Sequence, residues 1–252
     1  MAEGAVSNGK KAKLVTPSRD RRFDRLFFSI TSVLMLVTVY IGFAPSYYQA
    51  GVFHAPLPSI ALHIHAVAFS CWMPLLVIQT SLVAARRVDI HRRLGIAGFF
   101  LGCAMVILGV WAAIDTLARG FFPPGMNAAA FFIIPMTDML IFGTLLYLAY
   151  RRRRDPASHK RMIYIATTGL LVAAIARIPS LPGIHRSGVI AALYSYIFLL
   201  ILMIYDLYSI RKVHRVTLWA SAFVIFVQQV RFPLADTAAW QAFATWVQHI
   251  AH

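Results

Sequence analysis

Few ionisable side chains interrupt the apolar stretches of this chain, and those that do are the candidates for chemistry. Asp138 stands in Pro135-Met136-Thr137-Asp138-Met139, about ten residues from either end of an apolar run. A carboxyl group at that depth either binds a proton or cation or ties helices together by hydrogen bonds, because an unpaired charge in hydrocarbon is costly. His63 and His65 lie four to six residues into another run. On a regular helix, residues i and i+2 are about 200° apart, so the two imidazoles cannot hold one metal ion unless the helix start unwinds. Arg177, Asp115, Gln228 and Gln229 fall at comparable depth in further runs. Together they could line a polar pocket, and Arg177 and Asp138 could pair if their helices adjoin. Arg177 could instead snorkel to the head groups.

A second group carries a different possibility. His91, His159 and His214 each precede a basic residue, in His91-Arg92-Arg93, His159-Lys160-Arg161 and His214-Arg215, with Asp89, Asp155 and Asp206 nearby. Three imidazoles with carboxylates could hold zinc or non-haem iron. Two histidines on facing helices could ligate haem b, with His63 or His65 as an outer ligand and His91, His159 and His214 as inner candidates. The crowd of cations around the inner histidines weighs against a metal. Their plainer role is as polar interface residues and caps. Cys71 and Cys103 form no C-x-x-C or C-x-x-C-H pattern, so neither a disulfide nor covalent haem attachment is indicated.

These residues must be positioned by helices in a membrane. The chain has 252 residues, 60% hydrophobic and 13% charged, with a mean hydropathy of +0.69. A soluble domain needs more polar surface than that. A helix needs about 20 apolar residues to cross the hydrocarbon core. Seven stretches meet that length, near 27–47, 59–84, 94–117, 128–150, 161–180, 188–209 and 214–232. The expected fold is therefore an all-α polytopic bundle of seven spans, a transmembrane domain over 26–233. Residues 1–25 read as a basic, disordered arm with no cleavable signal peptide. Residues 236–252 read as an amphipathic helix, with Trp240, Phe243, Val247 and Ile250 at helical spacing, lying flat on the outer surface or docking a soluble partner.

The net charge of +15 is distributed as topology. Residues 1–25 hold seven Lys or Arg, 85–93 four, 151–161 six and 210–215 three, whereas the opposite side holds Arg119, Arg177, Arg186 and Arg231. The positive-inside rule puts the N-terminus in the cytoplasm of a cell whose inner membrane holds the protein. Anionic lipids are the expected partners of the basic side. Nucleic acid is not, since no aromatic-basic reading surface is visible. A membrane-protein partner or a second copy of the chain is compatible with the pattern.

The segments Trp72–Thr80 (WMPLLVIQT), His91-Arg92-Arg93-Leu94-Gly95 and His159-Lys160-Arg161-Met162 resemble those of a broad group of bacterial polytopic membrane proteins. In that group a histidine-bearing span leads to an HRRLG junction and a later HKR opens another span. The resemblance runs from about residue 55 to 230. It implies a seven-span fold and no particular reaction. A more distant likeness to membrane b-type cytochromes rests on histidines near helix ends.

Whether the chain is an enzyme stays open. The G-x-S-x-G, H-E-x-x-H, Walker and G-x-G-x-x-G patterns are all missing, which speaks against a serine hydrolase, a zincin and a nucleotide-driven pump. Three classes remain. The first is a redox protein binding haem b or a transition metal. The second is a proton-coupled transporter or small-molecule binder using Asp138. The third is a non-catalytic subunit or assembly factor, and metal-dependent lipid chemistry is a residual case.

Overall fold

The computed structural model describes residues 18–123, 126–184 and 188–251, and all regular structure among them is helical. Helix α1 (Ser18–Phe43) ends in a π-helical turn, Ala44–Tyr48. A short α2 (Ala50–Phe53) follows, then α3 (Ile60–Ala84), α4 (Val88–Ala118), α5 (Ala128–Arg151) and α6 (Pro156–Ile175). The chain finishes with α7 (Gly188–Ile210), α8 (Arg215–Ala235) and α9 (Ala238–Ala251).

Six helices are long and apolar enough to cross a membrane: the α1 segment Arg22–Tyr48, α3, α4, α5, α7 and α8. Their outward faces carry large apolar side chains such as Ile30, Ile96, Phe100, Ile107, Leu200 and Ile204, each at least half exposed. Apolar surface on that scale belongs in lipid. The chain is accordingly read as a multi-pass membrane protein.

The fifth expected stretch behaves differently. It becomes α6, which is shifted to Pro156–Ile175 and is not among those six. The shift has a local cause. Pro156 occupies the first turn, and the Asp155 carboxylate accepts the Ala157 and Ser158 N–H groups. The Ser158 hydroxyl donates to the same carboxylate, which holds Asp155 below the usual carboxylate range. Helix α6 packs against α1, α5, α7 and α8 and is the most enclosed element. Its polar residues Arg161, Thr167 and Thr168 are buried. It can therefore be less apolar than its neighbours, because protein rather than lipid surrounds it.

The same capping logic corrects the limits of the basic loops. Asp89, His91, Arg92 and Arg93 belong to the first turns of α4, and His159, Lys160 and Arg161 to those of α6. His214 is a cap: its Nδ1 accepts the Val216 N–H at 3.1 Å. The loops shrink to 85–87, 152–155 and 211–214. The repeated histidine–basic pattern thus hides two geometries, with His91 and His159 in the fourth helical position and His214 at an N-cap.

Two expectations about the ends change as well. Residues 18–25, expected to be disordered, are helical and continue into the first span, while the rest of the basic arm lies outside the described residues. Asp24 then reaches the bundle, where Lys160 Nζ pairs with its carboxylate and the Tyr205 hydroxyl donates to it. Helix α9 is amphipathic, and one face of it packs on the protein. Trp240 Nε1 donates to the Ala129 carbonyl at 2.8 Å, Ala244 is fully buried and Gln248 Nε2 donates to the Leu117 carbonyl. The helix closes over the ends of α4 and α5, leaving Phe243, Trp246 and Ile250 exposed.

Candidate functional site: two buried ion pairs

Each end of the bundle holds a buried ion pair, and the two differ in how well they are satisfied. We name the end bearing Arg86, Arg87, Arg151–Arg154 and Lys212 the basic end, and the other the far end. At the basic end, Arg161 of α6 meets Asp206 of α7, with side chains 2% and 0% exposed. Arg161 donates to Asp206 Oδ1 from Nε at 2.9 Å and from Nη2 at 2.5 Å, and its Nη1 donates to the Ala157 carbonyl at 2.8 Å. Asp206 Oδ2 accepts the Thr217 hydroxyl at 2.5 Å and the His214 N–H at 3.0 Å. Four donors surround this carboxylate. The arrangement clamps α6, α7 and α8 together. Burial and the neighbouring Arg161 charge hold the His214 imidazole below its ordinary range, which keeps it neutral and able to cap α8.

At the far end, Asp138 of α5 pairs with Arg231 of α8, with side chains 8% and 1% exposed. Asp138 lies about 15 Å along α5 from its first turn, by the helical rise. One hydrogen bond joins the pair, from Arg231 Nη1 to Asp138 Oδ1 at 2.8 Å. Arg231 Nε is buried and has no protein partner. One turn earlier on the same face, Gln228 donates to the Gly169 carbonyl of α6 at 3.4 Å, and its buried Oε1 also has no protein partner. Arg231 Nε and Gln228 Oε1 are thus a buried donor and a buried acceptor without protein partners, one turn apart on α8.

The expected pairing of Asp138 with Arg177 is therefore corrected. Arg177 follows the last turn of α6 at the surface, its Nη1 donating to the Ala173 carbonyl at 2.6 Å and its guanidinium 4.6 Å from the Phe43 ring centroid. Helix α8 packs on α5, and this brings Arg231, not Arg177, to the carboxylate. The sequence reading placed Arg231 with the helix-end cations and missed it. The available signal was its register: Thr217, Ser221, Val224, Gln228 and Arg231 fall on one helical face, and all are buried.

The other outer residues are engaged separately. Asp115 accepts Arg119 Nε at 3.0 Å on both oxygens and the Ser59 hydroxyl at 2.6 Å. Gln229 donates to the Tyr196 hydroxyl at 2.9 Å. His63 Nδ1 lies 3.0 Å from the Tyr47 hydroxyl at the exposed surface. His65 turns the other way, stacked on Phe69 at 4.1 Å and set against the backbone at Leu108 of α4, with Nδ1 lacking a protein partner. A groove of about 470 Å³, lined by Tyr47, Tyr48, Ser70, Cys71 and Pro74 among others, contains none of the expected outer pocket residues.

The histidines of the basic end are held by separate partners. With its amide oriented to satisfy both ends, Gln79 donates to His91 Nδ1 at 2.5 Å and accepts the Gly95 N–H at 3.0 Å. That bond leaves the His91 proton on Nε2. His159 is the reverse case, its Nδ1 lying 2.9 Å from the Ala149 carbonyl, so Nδ1 is the protonated nitrogen and Nε2 is open. Among the described residues no group of three His, Cys, Asp or Glu side chains is placed to hold a metal ion. From His65 to Gln79, which bonds His91, is about 21 Å along α3 by the helical rise. One iron cannot be ligated from both ends. No protein-family model matches the chain, and no curated protein or solved structure is similar enough to assign it a family or an activity.

Proposed function

We propose that the protein is a seven-span carrier of the inner membrane that moves protons, with Asp138 as the proton-binding group and Arg231 as its counter-charge. The observation that carries this reading is the contrast between the two ion pairs. Asp206 is saturated with donors and suits a permanent clamp. Asp138 has one bond to a guanidinium that keeps a spare donor inside the bundle. Protonating Asp138 would release Arg231 to bond elsewhere, and such a switch of partners is what a coupling group needs.

In this reading α6 is the seventh span. Its 20 residues reach about 30 Å by the helical rise, the thickness of the hydrocarbon core. The basic end faces the cytoplasm and anionic lipid. The test is proton uptake into proteoliposomes, driven by a potassium diffusion potential and read with an entrapped pH dye. Wild-type protein should acidify the lumen, and Asp138→Asn should abolish uptake while melting within about 2 kcal/mol of wild type, since the amide can still accept from Arg231. Full uptake by folded Asp138→Asn would refute the role of Asp138.

One observation favours a second reading, a haem or metal held by histidine. The Ala149 carbonyl fixes the His159 ring with Nε2 free, as second-shell partners do for ligating imidazoles. Here His159 would be the ligand from the basic end. Purified protein from haem-replete cells should then show a Soret band that His159→Ala removes. A colourless, metal-free sample would end this reading.

A further inference from the structure

Three buried polar atoms on one face of α8 have no protein partner: Ser221 Oγ, Gln228 Oε1 and Arg231 Nε. Their residues are 0%, 0% and 1% exposed. They lie on a line that begins at Thr217, bonded to Asp206, and ends at Arg231, bonded to Asp138. That line is about 21 Å long by the helical rise.

An orphaned buried polar atom costs about 1–3 kcal/mol. Three on one helix face, in register between two ion pairs, are not scattered packing defects. We infer that the buried face of α8 binds internal water: one site at Ser221, and a second between Gln228 Oε1 and Arg231 Nε beside the Asp138 carboxylate. The second site offers an acceptor, a donor and a charge, which meets the usual two to four partners of a buried water. Val224, fully buried, lies between the two sites along the helix and flanks both.

This inference deepens the proton-carrier reading and rests on it for its purpose. A proton arriving at the second site passes from hydronium to an Asp138 oxygen. The O–H bond of the hydronium breaks, the O–H bond of a carboxylic acid forms, and a neutral water remains. Arg231 keeps its charge; on the elements packed against α8, Tyr196 bonds Gln229 of α8 and Arg161 pairs with Asp206, while Tyr164 is bonded to the Phe198 carbonyl and Lys160 to Asp24.

The test is radiolytic footprinting in nanodiscs in ¹⁸O-water, where X-ray pulses make hydroxyl radicals from bound water and mass spectrometry reads the label. Val224 should take up ¹⁸O well above Leu145, which is equally buried but lies in the apolar core. Ser221→Ala and Gln228→Met together should lose that label and slow proton uptake, with the melt unchanged. Both swaps roughly conserve volume and each removes an unsatisfied atom, which offsets the loss of the long Gln228–Gly169 bond, so the fold should tolerate them. A wild-type Val224 label no higher than that of Leu145 would overturn the water sites. If Val224 stays dry while Asp138→Asn abolishes uptake, the carrier reading stands without this path. If Val224 is labelled and Asp138→Asn leaves uptake intact, the water sites stand and the carrier reading falls.

Discussion

Replacing Asp206 by Ala will remove about 3–5 kcal/mol of stability, the cost of stranding a buried charge. Arg161 would be left 2% exposed with both donors that face Asp206 unmet. The Thr217 hydroxyl and the His214 N–H would lose their acceptor too. Membrane proteins share the small net stabilities of other folded chains, on the order of 5–15 kcal/mol, so most of the folded yield should go. The measurement is a denaturation curve in mixed micelles, with Arg161→Met and the Arg161→Met/Asp206→Leu double variant alongside. The double variant should recover much of the loss, because an apolar pair of similar volume avoids both desolvation costs. An Asp206→Ala protein within about 1 kcal/mol of wild type would show that water already reaches this carboxylate and that it clamps nothing.

That outcome bears on the far end. If the saturated pair is the clamp, the bundle does not need Asp138–Arg231 for cohesion, and its single bond is free to serve another purpose. Losing Asp206 should therefore damage folding first, whereas losing Asp138 should damage function first. In the sequence the two carboxylates differ in depth, Asp138 in the middle of an apolar run and Asp206 near the end of another, but depth does not tell a clamp from a switch. Only their donor sets separate them.

How far the sequence reached follows from what each residue type reports. Apolar length alone marks a lipid-facing helix, and α3, α5, α7 and α8 fall within a few residues of their expected stretches. α6 was placed with the wrong limits because its start is set by an Asp155 cap and a proline, and a hydropathy window does not register a cap. The first turns of α4 and α6 read as loops from sequence for the same reason: charges at a helix N-terminus look like loop charges. Partners across helices were less legible still. Asp138 stood out by depth, but Arg231 was masked by its nearness to the helix end, and its pairing depends on α8 packing beside α5. The expected outer pocket failed because depth along each helix was known while rotation about each axis was not. His63 and His65 share a depth, yet one meets Tyr47 and the other α4.

Gly42→Ala will separate α1 from α6 and is the single methyl group expected to do the most harm. A Cβ at Gly42 would fall on the backbone carbonyl of Ala174, inside contact distance of three of its atoms. Backbone cannot rotate away as a side chain does, so the helices must part. Overpacking of this kind costs about 1–3 kcal/mol and more when the backbone must move. Gly109→Ala is the informative comparison. Its Cβ would meet the flexible end of Met139, which can find another rotamer, so its cost should be smaller despite an equally crowded site. Gly51, with open space around it, should gain from Ala by about 0.5–1 kcal/mol through helix propensity. Thermal melts of the three variants should rank Gly42→Ala lowest, Gly109→Ala next and Gly51→Ala at or above wild type. A Gly42→Ala protein as stable as wild type would mean that α1 does not press on α6 there. α6 would then lose the cover on that side, and a helix bearing Arg161, Thr167 and Thr168 would no longer owe its place in the centre of the bundle to enclosure by its neighbours.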